Sequence, residues 1–117
     1  MHEQITEIMK YLFLALAIAF EVTGSSFMKL SDGFSKLLPT VVTIISYFIS
    51  FYCFSLTLKY IPLGVAYAIW GGLGIVLTAL ISVFVFKHSL DLPAIIGMSF
   101  IVAGVIIMNF FSKTASH

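Results

Sequence analysis

Four apolar runs set the terms for any fold of this chain: Tyr11 to Met28, Leu37 to Leu58, Leu63 to Phe86 and Leu92 to Phe111. A helix needs about 20 apolar residues to cross a hydrocarbon core ~30 Å thick, and each run meets or approaches that length. The separators are short and polar: "KLSDGFSK", "KYIP" and "KHSLD". Links this short make consecutive helices antiparallel neighbours. Composition closes off the soluble alternative. Of 117 residues, 61% are hydrophobic and 9% charged, against about 25% charged in soluble domains. A chain this small cannot hide so much apolar surface from water. The fold class is therefore all-α integral membrane, with four transmembrane helices in one domain over residues 1–117.

Helices are expected over about 10–30, 35–58, 62–86 and 91–112, with residues 1–8 a dispensable tail and Met9 an alternative start. Gly33 suits the end of the first helix, and Pro39 and Pro62 suit first turns, where a missing N–H costs nothing. Asp91 is placed to cap the fourth helix, with Pro93 just inside. Lys10 before a short apolar stretch imitates a signal peptide, but Glu21 and three further spans argue against cleavage.

Several function classes drop out. A net charge of +1 offers no basic surface for nucleic acid. Cys53 has no partner cysteine and reads as a small packing residue. His2, His88 and His117 have no metal-ligand spacing, and no nucleophile, zinc or phosphate-loop motif occurs. No enzyme activity, cofactor or metal is expected.

The lysines divide evenly across an even number of spans. Lys10, Lys59 and Lys113 fall on the side of the termini, and Lys29, Lys36 and Lys87 on the other. The positive-inside bias that normally sets orientation is absent. Charge alone leaves two readings open: other features set the orientation, or copies insert both ways and pair antiparallel. Size favours the second. Many transporters build a membrane cavity from two halves of inverted orientation, and this chain has the size of one half.

Glu21 is the only charge between Tyr11 and Met28. An acid in mid-membrane costs about 2.5–3.5 kcal/mol to insert. No Lys, Arg or His lies inside any run to offset it, so either a proton or an incoming cation must neutralise it. At helical spacing Glu21 shares a face with Leu14, Ala17, Ile18, Gly24, Ser25 and Met28, a small and slightly polar surface. Phe13, Phe20 and Phe27 form a separate stripe suited to lipid.

In the third run Gly64, Ala68 and Gly72 make a small-residue stripe that permits close helix contact. Gly71, Gly72 and Gly74 mark a place where the helix can kink. Tyr67 and Trp70 lie three apart. Trp70 is roughly 12 Å into the span, deeper than an interfacial aromatic belongs. Such rings either pack or stack on an organic cation, and Tyr67 is also a candidate hydrogen-bond donor to Glu21. Tyr47, Ser50, Phe51 and Phe54 form a stripe in the second run that suits a core or a pocket wall equally. Gly97 and Gly104, seven apart, make a helix-contact pattern in the fourth.

The stretches "FEVTGSSFMKLSDGF", "YIPLGVAYAIWGGLGIV", "LDLPAIIGM" and "AGVIIMNFFSK" closely resemble the small multidrug resistance family, in its multidrug branch, from about Met9 onward and without gaps. The resemblance implies a proton-coupled exporter of aromatic and quaternary ammonium cations in the bacterial cytoplasmic membrane, working as an antiparallel homodimer of four-helix protomers. By position, Glu21 matches the family's shared proton and substrate carboxylate, and Leu14, Ala17, Ile18, Gly24 and Ser25 match its neighbours. Tyr67 and Trp70 match the aromatics lining the site, with Tyr47 beside them. Gly72 and Gly74 match a helix kink, with Leu73 between them where the family commonly has Val. Gly97, Gly104 and Val105 match the fourth-helix dimer contact. A guanidinium-exporting branch typically carries Trp where Gly24 stands and Gly where Ala17 stands, which disfavours that alternative. The other alternative is a non-transporting membrane helper in which Glu21 is neutral helix glue.

Overall fold

The computed structural model describes residues 2–111, and residues 1 and 112–117, Lys113 and His117 among them, lie outside that range. Four helices follow one another: α1 (His2–Leu30), α2 (Leu37–Thr57), α3 (Leu63–Phe84) and α4 (Leu92–Phe111). Among the described residues there is no strand. By length and composition, α2, α3 and α4 are each long and apolar enough to cross a membrane. The helices pair as two compact hairpins, α1 with α2 and α3 with α4.

The apolar pattern starts the first helix near residue 10, but α1 reaches back to His2. Glu3 stands in its first turn, where a negative charge complements the exposed amides and the macrodipole. Lys10 then pairs with Glu7 one turn back at 2.8 Å, and its ammonium lies 5.3 Å from the centroid of the Tyr11 ring. Phe13, Phe20 and Phe27 are each half-buried.

The link from α1 to α2 turns through three successive left-handed residues, Asp32 (φ 51°), Gly33 (φ 69°) and Phe34 (φ 64°). Gly33 takes that conformation without cost, whereas Asp32 and Phe34 each sacrifice roughly 1–2 kcal/mol. Ser31, fully buried, holds the turn. Its hydroxyl donates to the Met28 carbonyl at 2.6 Å and accepts the Phe34 amide at 3.0 Å. The α1 chain end is thereby satisfied without a following helix turn.

The buried residues of α2 are Thr43, Ser46, Ser50, Cys53, Phe54 and Thr57. All but Phe54 are small. In lipid, no hydrophobic effect drives helices together, so close approach of small residues and hydrogen bonds must do so. The hydroxyls are not left bare. Thr43 donates to the Pro39 carbonyl at 2.9 Å and Thr57 to the Cys53 carbonyl at 3.2 Å, each one turn back along its own helix. Ser50 does otherwise: its hydroxyl crosses to α1 and donates to the Ala17 carbonyl at 2.6 Å.

In the second hairpin, Pro62 is the residue preceding α3, and its carbonyl accepts the Ala66 amide at 2.9 Å. Helix α3 continues unbroken through Gly71, Gly72 and Gly74. It ends at Phe84, after which Lys87 turns left-handed at φ 58°. Asp91 caps α4 as its position suggests, its carboxylate accepting the Ala94 amide at 3.0 Å. No residue of α4 is buried.

Candidate functional site

Glu21 sits eleven residues after Lys10 and eight before Lys29. At 1.5 Å per residue that is about 16 Å from one charge and about 12 Å from the other. Those lengths add to roughly the thickness of a bilayer core, with the acid near the middle of the stretch. Its side chain is half-buried.

The acid's company is a set of hydroxyls. Ser25, one turn further along α1, donates its hydroxyl to Glu21 Oε1 at 2.8 Å. The same Ser25 Oγ lies 2.8 Å from the Tyr47 hydroxyl on α2. Ser50, one turn beyond Tyr47, bonds the carbonyl of Ala17, which is one turn before Glu21. Two polar residues on one face of α2 thus grip α1 four residues before and four residues after the acid. The approach is close because Gly24 has no side chain. A Cβ built there would lie 2.7 and 2.8 Å from Tyr47 Cε1 and Cδ1, and 3.3 Å from Ser46 Cβ.

The other expected residues of the acid's face lie under protein. Leu14, Ala17 and Ile18 are 2%, 0% and 3% exposed, and Gly24 is buried. They set how closely α1 is covered on that side.

Tyr67 and Trp70 belong to the second hairpin and pair with each other. Their ring centroids are 5.7 Å apart at 66°, an edge-to-face pair. Tyr67 is largely exposed and Trp70 half-buried. Within the first hairpin, the phenol that reaches the acid's bonded partner is Tyr47. Gly72 and Gly74 are buried, and Gly72 faces Val105 of α4. Gly97 and Gly104 are exposed, with open space where a Cβ would stand. Val105 points to α3 of its own hairpin, about 100° around α4 from Gly104.

Ser50 belongs to the stripe of Tyr47, Ser50, Phe51 and Phe54 that the sequence left undecided between core and pocket wall. Its signal was there: a hydroxyl three residues from Tyr47, opposite the small residues of α1.

Comparison with known proteins then settles the family. The model of the Small Multidrug Resistance protein family matches residues 9–101. The chain belongs to that family. It is 53% identical over 107 residues to the multidrug transporter EmrE of Escherichia coli (strain K12), covering 92% of this chain and 97% of that one. It is 50% identical over 106 residues to the quaternary ammonium compound-resistance protein QacG of Staphylococcus sp. (strain ST94), covering 91% and 99%. It is 46% identical over 106 residues to QacC of Staphylococcus aureus, with the same coverage of 91% and 99%. As a member of this family with three helices apolar enough to span, the chain is a multi-pass membrane protein. The match to the family model begins at Met9, so the first two turns of α1 precede it.

Proposed function

We propose that this protein exports lipophilic aromatic and quaternary ammonium cations across a bacterial cytoplasmic membrane in exchange for protons. Names of its relatives, a multidrug transporter and quaternary ammonium resistance proteins, supply the substrate class. The observation that carries the mechanism is Glu21, the one charge between Lys10 and Lys29, whose bonded partner is a neutral hydroxyl. Helix α1 is the fourth span, carrying the acid through the bilayer.

A half-buried carboxylate in an apolar helix, with no resident cation beside it among the described residues, must be neutralised by something that comes and goes. A proton does this, and so does an organic cation, but the same charge cannot serve both. Loading one ligand therefore expels the other, and alternate exposure to the two membrane faces turns that exclusion into exchange. Tyr67 and Trp70 present ring faces that attract organic cations. Residues 1–8 are dispensable for this chemistry.

An antiparallel homodimer would bring two Glu21 carboxylates to one site and make the two exposures equivalent. The balanced lysines support that arrangement, and the exposed Gly97–Gly104 stripe on α4 offers a surface for it. Guanidinium export is disfavoured by Gly24 and Ala17.

The test is binding of tetraphenylphosphonium to detergent-purified protein, with proton release followed across pH for wild type and Glu21→Gln. Release of protons on binding, affinity that rises with pH, and loss of both in the variant are the expected results. Undiminished binding in Glu21→Gln would place the site elsewhere. Absence of binding would turn attention to guanidinium and then to the helper-subunit reading.

A further inference from the structure

We propose that Tyr47 governs Glu21 from a distance, through Ser25, as a positioning residue rather than as a wall of the cation site. This rests on Glu21 being the shared site and adds how that carboxylate is held. An ionised carboxylate only accepts hydrogen bonds, and a serine hydroxyl has one proton to give. Ser25 donates that proton to Glu21 Oε1 at 2.8 Å. The 2.8 Å contact between Ser25 Oγ and the Tyr47 hydroxyl must then run the other way, with Tyr47 donating. The three groups form one directed chain: Tyr47 O–H to Ser25 Oγ, Ser25 O–H to Glu21 Oε1.

The chain has three consequences. It fixes one carboxylate oxygen against the α1–α2 seam and leaves the other, which takes no hydrogen bond among the described residues, to face a ligand. It makes Ser25 a better donor, because a hydroxyl that accepts a bond polarises its own O–H. It also depends on helix packing, since Gly24 allows the Tyr47 ring to lie against α1 and Ser50 fastens the same two helices through the Ala17 carbonyl. Tyr47 therefore gives the acid a set orientation before any cation arrives, which lowers the ordering cost of binding.

The experiment is a double-mutant cycle on the full-length protein in detergent, read by tetraphenylphosphonium affinity and by the carboxylate stretching band of Glu21. That band is assigned in infrared difference spectra as the one lost in Glu21→Gln. Ser25→Ala is expected to weaken binding about tenfold, the scale of one hydrogen bond to a charged group, and Tyr47→Phe, which removes a bond between neutral hydroxyls, by up to about as much. The pair together should also lose about tenfold, not a hundredfold, because either change cuts the same chain. Both single variants should move the band, and Ser25→Thr, which restores a hydroxyl, should recover most of what Ser25→Ala loses. Additive losses, or a Tyr47→Phe defect with the band unmoved, would overturn the proposal and return Tyr47 to direct cation contact. If Glu21→Gln binds as wild type, the exchange reading fails, while the infrared comparison still decides whether the chain exists.

Discussion

Val105 of α4 occupies the space that any side chain on Gly72 of α3 would need. A Cβ added at Gly72 would lie 2.7 Å from Val105 Cγ2, with Ile101 Cγ2 at 3.9 Å. The second hairpin closes by placing a branched side chain directly on a backbone, the kind of contact that holds helices together in lipid.

Gly72→Ala should therefore destabilise the protein by about 1–3 kcal/mol, the usual cost of overpacking a close contact, because Val105 is stiff at χ1. Pairing it with Val105→Ala should recover much of the loss. Gly71→Ala, which meets nothing within 4 Å, should be neutral or slightly stabilising through helix propensity. Unfolding by denaturant in detergent micelles separates the three variants, and equal behaviour of Gly71→Ala and Gly72→Ala would contradict the packing argument.

Gly24→Ala tests the first hairpin in the same way, with a functional readout. The added methyl would overlap the Tyr47 ring at 2.7 Å, so the ring is expected to swing away and release Ser25. Tetraphenylphosphonium affinity is expected to fall about tenfold. In a Tyr47→Phe background the same substitution should cost little more, since the bond is already gone. A wild-type affinity in Gly24→Ala would show that the ring relocates without releasing Ser25.

Ser50→Ala removes the hydroxyl that crosses to the Ala17 carbonyl. Interhelical bonds of this kind in membranes contribute about 0.6 kcal/mol on average and up to about 1.7 kcal/mol. The buried position and the 2.6 Å distance put Ser50 toward the upper figure. Equilibrium unfolding measures the change, and amide exchange at Glu21 and its neighbours should rise as α1 loosens from α2.

Asp91→Ala should fray the start of α4. The carboxylate satisfies the Ala94 amide at 3.0 Å, and loss of such a cap costs about 1 kcal/mol. Faster hydrogen exchange confined to the first turn of α4, with Asp91→Asn close to wild type, is the expected pattern. A global loss of stability would mean that Asp91 serves more than the cap.

The amino-acid sequence alone determined the class of this protein and pointed to Glu21 as the proposed seat of its chemistry. Run lengths and short polar links are enough for an all-α membrane chain, because hydrocarbon leaves the backbone few alternatives. Glu21 stood out for the same reason: an ionisable group in such a run is too costly to be incidental. Local signals also read directly, as in Asp91 capping α4 and Gly33 turning left-handed after α1.

Tertiary structure decided what the acid touches. Helical periodicity says which residues share a face, but not how the next helix is rotated about its own axis, so the stripe of Tyr47 and Ser50 suited a core or a pocket wall equally. Packing within the first hairpin joined Tyr47 to the acid: Gly24 admits the Tyr47 ring, and Ser25 stands between that ring and Glu21. Ser50 and Gly72 follow the same logic. Whether a hydroxyl bonds its own helix or its neighbour, and whether a glycine makes room for a partner, depends on distances of a few tenths of an ångström between helices, which spacing along one chain does not encode.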